Sequence, residues 1–113
     1  MSWEVVYTED ARLDLGDIYD YIADEFMVPE TAEEQTDRIM DAIDLLNELP
    51  LRYKEYDKEP WKSIGLRVMP IDKYLVFYLP IEKMKEVAII RIMYQGRDAK
   101  TILEKTTVKN YID

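Results

Sequence analysis

The chain has 113 residues, 48% of them apolar and 35% charged, with no cysteine, no histidine and a formal net charge of −9. That length predicts one domain, 1–113, around one core, and the missing residue types exclude disulfides, thiolate chemistry, a Ser-His-Asp triad and the usual zinc ligands. No apolar run approaches the roughly 18 residues of a membrane span and no signal-like segment opens the chain, so the expectation is a cytoplasmic protein with no membrane partner, no cofactor and no metal.

Trp3 to Tyr7 combines aromatic and β-branched residues and predicts a first strand. Thr8 stands where an N-cap belongs, with Glu9 and Asp10 at the positive end of the helix dipole. Ala11, Leu15, Ile18, Ile22 and Phe26 then recur at steps of four and three, the apolar stripe of an amphipathic helix. Asp10, Asp14, Asp17, Asp20 and Asp24 fall mostly off that stripe. Pro29 ends or restarts the helical run; Thr31 and Glu34 have the spacing of a capping box for a second helix, whose apolar face is Ile39, Ala42, Ile43, Leu46 and Leu49, with Pro50 beyond it. Two such helices on a short linker form a hairpin that needs a sheet to cover its apolar faces.

Residues 51–63 lack a period and predict a connection packed by its aromatics, with Trp61 as an anchor. Leu66 to Met69 predicts a short strand stopped by Pro70, Tyr74 to Leu79 a longer one stopped by Pro80, and Val87 to Tyr94 the last. Residues 99–105 predict a short helix, and the remainder is expected to fray. The predicted fold is α+β, a helical hairpin packed on a small antiparallel sheet in the order β-α-α-β-β-β, with a possible short C-terminal helix.

Charge divides along the chain. Residues 1–50 hold 15 acids against 2 bases, and residues 51–113 hold 9 against 13. A net charge of −9 argues against a nucleic-acid partner, yet a cationic second half leaves room for one. The acidic first helix is read as a solvated face or a surface for a basic partner rather than a metal site, because carboxylates without a geometric cage do not hold a cation.

The ordered segments DARLDLGDIYDYI, AIDLLNELP, GLRVM, KYLVFYLP and RIMYQGRD resemble the RelE/ParE superfamily of bacterial type II toxin-antitoxin toxins over roughly residues 3–100. The resemblance implies a compact α+β toxin of the plasmid stabilisation type that inhibits growth and is neutralised by a cognate antitoxin lying along its surface. It also implies one of two targets. Toxins similar to RelE cleave messenger RNA on the ribosome with cationic and tyrosine side chains; toxins similar to ParE poison DNA gyrase and are not nucleases.

Against the nuclease pattern, Arg97 in YQGRD matches an arginine just beyond the last strand. Leu75 stands where an arginine is expected after Tyr74, Leu103 stands where a tyrosine is expected, the next tyrosine is Tyr111, and Lys62 is not at the alternating spacing from Arg67. The reading therefore leans to a ParE-like gyrase poison, with a ribosome-dependent endoribonuclease or a non-toxic antitoxin-binding relative as alternatives. If the chain is a nuclease, Arg67, Arg91 and Arg97 would clamp phosphate while Tyr94 serves as acid or base. Each has a plainer explanation. Arg67 alternates with Leu66 and Val68 and fits a solvated strand face, whereas strict alternation puts Arg91 on one face with Ile89 and Met93. Tyr74, Val76 and Tyr78 share a face on which tyrosines could stack bases or simply pack; Leu75, Phe77 and Leu79 form the expected core face.

Overall fold

The computed structural model describes residues 2–106. The expected fraying end, with Tyr111, lies outside the described residues. Strand β1 (Glu4–Tyr7) runs through Thr8 into helix α1 (Glu9–Phe26), and α2 (Pro29–Asp44) packs back along it. Thr8 is extended and its Oγ1 accepts from the Ala11 amide at 3.2 Å, the side-chain cap expected from its place before two acids. Its hydroxyl also donates to the Ile89 carbonyl at 2.8 Å, so one threonine starts a helix and fastens it to the sheet. Met27, in the left-handed conformation at φ 55°, ends α1.

The capping box expected at Thr31 does not form. Helix α2 begins two residues earlier with Pro29 in its first turn, after Val28, which gives no side-chain cap. Proline removes one of the amides a cap would serve, so the helix starts there without help from Thr31. A 3₁₀ turn, Leu45–Asn47, closes the hairpin; Leu46 is buried, whereas Leu49, expected on the same face, lies beyond the helical phase and is exposed.

The connection carries a short helix, α3 (Trp61–Ile64), and leads into β2 (Arg67–Ile71), β3 (Tyr74–Ile81) and β4 (Glu86–Tyr94); α4 (Ala99–Glu104) follows. The sheet order is β1-β4-β3-β2. It is mixed rather than wholly antiparallel: β2, β3 and β4 form an antiparallel meander, and β1 lies parallel to β4. A meander leaves the outer edge of β4 unpaired, and β1, carried away and back by the helical hairpin, fills part of it.

Neither proline stops its strand. The Val68 amide in β2 is turned outward to the Lys54 carbonyl, and by strand periodicity the Pro70 nitrogen faces the same outer edge, where no ladder bond is lost. Pro80 sits beyond Tyr78, the last β3 residue that β2 reaches.

Both faces of the sheet are covered. Ala11, Ile39, Ile43 and Leu46 pack with Tyr74, Val76, Tyr78 and Ile89 on the helical side. Trp61, Leu103 and the edge-on Tyr56 ring pack with Phe77, Leu79 and Ile90 on the other. The face of Tyr74, Val76 and Tyr78 is thus core, as buried as that of Phe77 and Leu79, and Tyr74 and Tyr78 are not open to a base.

Strand β4 contains a bulge. Phe77 pairs with Arg91 but Tyr78 pairs with Ile89, so Ile90 is an extra residue. Ile89 and Ile92 consequently belong to the helical-side core, and Ile90 and Met93 to the opposite one. Alternation counted from the sequence put Ile89 and Met93 on one face with Arg91; the bulge resets that count at Arg91.

Candidate functional site

Strand β1 covers β4 only from Glu86 to Ile89, and beyond that point α1 runs along the exposed edge. Asp14 meets it there. Its carboxylate accepts from Arg91 Nε and Nη2, both at 2.8 Å, and from the Ile92 backbone amide at 2.8 Å. Arg91 Nη1 donates to Thr106 Oγ1 at 3.0 Å, and that hydroxyl donates to the Ile102 carbonyl. The fork of a guanidinium on a carboxylate fixes both groups, and the Asp14 hydrogen bond holds Arg91 even more firmly protonated than usual. With side-chain exposures of 22% and 11%, the pair ties α1, β4 and the end of α4 together.

Arg67 lies elsewhere. Its Nη1 donates to the Tyr53 carbonyl at 2.6 Å and to the Leu51 carbonyl at 3.3 Å, pinning the connection to the start of β2. Of the four residues singled out in the sequence, Arg91, Tyr94 and Arg97 line one cleft and Arg67 does not.

That cleft, of about 1080 Å³, opens where the tip of the helical hairpin overhangs the ends of β3 and β4. Ile18, Tyr21, Ile22 and Phe26 form its helical wall; Tyr74, Ile92 and Tyr94 form its strand wall. Tyr94 is 48% exposed and meets the Tyr74 ring edge-on at a centroid distance of 5.7 Å. Burial raises the Tyr74 phenol pKa, with the neighbouring Tyr94 and Tyr21 adding to it. Arg97, on the turn after β4, donates its amide to the Tyr94 carbonyl at 3.0 Å. A second fork closes one side: Arg38 of α2 donates to Asp72 at 2.7 and 3.0 Å and Gln35 donates to the same carboxylate at 2.9 Å. These bonds, led by Arg38, hold the Asp72 pKa below its usual value.

Sequence reasoning missed Asp14, Arg38 and Asp72 as partners. Asp14 carried a signal: three residues after Ala11 and four before Ile18, it lies in the phase of the apolar stripe rather than opposite it. Arg38 and Asp72 are 34 positions apart and had none.

Solved toxin structures share this architecture. A chain of the chromosomal ParDE toxin-antitoxin system from P. aeruginosa superposes with a TM-score of 0.68 at 22% identity, covering 82% of this chain and 96% of that one. A mutant of E. coli toxin RelE in the free state gives 0.65 at 12% identity, over 99% and 100% of the two chains. The archaeal RelE-RelB complex from Pyrococcus horikoshii gives 0.59 at 18%, over 86% and 99%. These likenesses define the class, a RelE/ParE-like fold. No curated protein matches in sequence. Residues 5–99 match the family model of the ParE toxin of the type II toxin-antitoxin system parDE, and the chain belongs to that family. Among the described residues no helix is long and apolar enough to cross a membrane.

Proposed function

We propose that this chain is the toxin of a type II toxin-antitoxin module, held inactive by a cognate antitoxin and arresting growth by poisoning DNA gyrase. The family match supports the module, and the P. aeruginosa and P. horikoshii structures are those of a toxin-antitoxin system and a toxin-antitoxin complex. One observation carries the choice of target. Ribonuclease chemistry without histidine needs several cations free to meet the developing phosphorane charge. Here Arg91 is committed to Asp14 and Arg67 to two backbone carbonyls, which leaves Arg97 with Lys73 beside Tyr94. That is a thin constellation for cutting RNA, and it agrees with the absence of arginine at Leu75 and of tyrosine at Leu103.

Induced alone in bacteria, the protein is expected to stop division and to accumulate covalent gyrase-DNA cleavage complexes. Arg67→Ala should leave that activity in place wherever the variant remains folded. Cleavage of ribosome-bound messages with gyrase still active would replace this reading with a nuclease working through Tyr94 and Arg97. Normal growth at full expression would leave an antitoxin-binding relative.

A further inference from the structure

One edge of the sheet is open. The Glu4 and Thr8 amides donate to the Lys85 and Ile89 carbonyls on the β4 side, so strand alternation turns the amides and carbonyls of Val5 and Tyr7 the other way. Among the described residues these outward groups bond to no turn, loop or side chain. Their neighbours are occupied: the Trp3 amide donates to the Asn47 carbonyl, and past the end of β1 the Ile92 amide of β4 donates to Asp14. The opposite edge of the sheet is closed, because the Val68 amide is bonded to Lys54 and Pro70 has no amide hydrogen.

The open groups are symmetric about Val6. A second β1 running antiparallel, with Val6 facing Val6 across a two-fold axis, sets Val5 opposite Tyr7 on both sides of that axis. Each such pair exchanges both of its N–H···O bonds, and Val6 falls in the closer kind of pair, where facing side chains touch. Val5 and Tyr7 send their side chains to the helical-side core, which leaves Val6 half-buried on the far face. Charge agrees with this register. Val5, Val6 and Tyr7 are uncharged in a chain of net charge −9, and the pairing sets Glu4 against Thr8 rather than against its own copy. Exposed leucines flank the strand, Leu13 past its C-terminal end and Leu45 and Leu49 by the turn that bonds Trp3; antiparallel copies bring the two groups toward each other.

We infer that β1 pairs with β1 of a second copy of this chain, joining two four-stranded sheets into one across a two-fold axis at Val6. A strand of 4 residues makes a small interface, for which a dissociation constant of about 1–100 μM is expected. Two chains of net charge −9 repel one another, so the dimer tightens as salt rises, whereas an association driven by opposite charges loosens. The pairing depends on the strand edge alone and holds whichever target the toxin has.

Sedimentation equilibrium of the purified full chain across a range of protein and salt concentrations reads the association. The expected result is a monomer-dimer equilibrium that tightens with salt. Val5→Pro removes an outward amide and no ladder bond, so it should weaken the dimer by about tenfold or more while circular dichroism shows an intact fold. Val6→Lys and Val6→Glu each set like charges on the axis. Each alone should be monomeric, and mixing the two should restore a heterodimer, a rescue that misfolding would not give. The chain has no cysteine, so Val6→Cys supplies a single thiol, which should cross-link to its own copy under mild oxidation faster than Asp24→Cys on an exposed position of α1. A chain monomeric at about 1 mM, a dimer that salt disperses, or a dimer indifferent to Val5→Pro and to both charges at Val6 would overturn the inference. So would a monomer whose β1 edge is protected from amide exchange only by the antitoxin. Growth arrest is read separately: a monomer that arrests growth keeps the function and loses this interface, and a dimer that never arrests growth does the reverse.

Discussion

Arg91 interrupts an apolar strand, and the charge it brings is answered by one carboxylate from a helix 77 positions earlier in sequence. Asp14 also satisfies the Ile92 amide that β1 is too short to reach, so a single side chain settles a half-buried cation and an orphaned strand-edge donor. Its loss leaves both unpaired. Asp14→Ala is expected to lower stability by about 3–5 kcal/mol in urea unfolding, and Arg91→Ala by a comparable amount, because each strands the other charge. The double variant should cost clearly less than the sum of the two. A loss under about 1 kcal/mol for either single change would show that the pair behaves like an exposed surface bridge. The Arg38–Asp72 fork looks similar on paper, yet the Arg38 side chain is 65% exposed, so it orients α2 against the β2–β3 turn more than it stabilises the fold.

At the scale of elements, the helical hairpin meets the sheet through a few polar fasteners laid over apolar contact. Thr8 is the first of them, capping α1 with its oxygen and bonding the Ile89 carbonyl with its hydrogen next to the bulge. Thr8→Ala removes both bonds, with an expected cost of about 1–2 kcal/mol. Thr8→Ser keeps them and should stay close to the parent. Amide hydrogen exchange distinguishes the two roles: faster exchange confined to the first turn of α1 would mean that only the cap was lost, whereas the expected result includes β4 around Ile90. The prolines of β2 and β3 belong to this scale too. They read as strand stops in one dimension, and become acceptable once Pro70 is seen on an outer edge and Pro80 beyond the reach of β2.

The fold covers phenols on both faces of the sheet, Tyr7, Tyr74 and Tyr78 on the helical side and Tyr56 on the other. Burial pushes the Tyr7 pKa up to about 12, with Asp44 adding to the effect, and burial also raises those of Tyr74, Tyr78 and Tyr56. An unfolded tyrosine ionises near about 10, so between about pH 10 and 12 the unfolded chain has released a proton that the folded one retains. Raising the pH in that window favours unfolding. On the alkaline side stability should fall steadily above pH about 10, and Tyr7→Phe should soften the fall. Urea midpoints followed across the alkaline range test this, and a curve identical to the parent for Tyr7→Phe would remove Tyr7 from the account.

Much of the architecture was legible in one dimension. The stripe from Ala11 to Phe26, the aromatic and β-branched strands and the order β-α-α-β-β-β follow from periodicity, which depends only on local backbone geometry. The place of Arg97 just beyond the last strand came instead from the resemblance of YQGRD to the family's pattern. What the residues do to one another depended on contacts between distant elements. A one-residue bulge at Ile90 reset the faces of β4, the edge left open by a short β1 drew in Asp14, and Arg91 and Arg67 became internal ties instead of a shared cationic face. Phe26 shows the division most simply. Its spacing marks it as part of an apolar face, and only the length of the sheet beneath decides that the face runs past the core and forms the wall of a cleft.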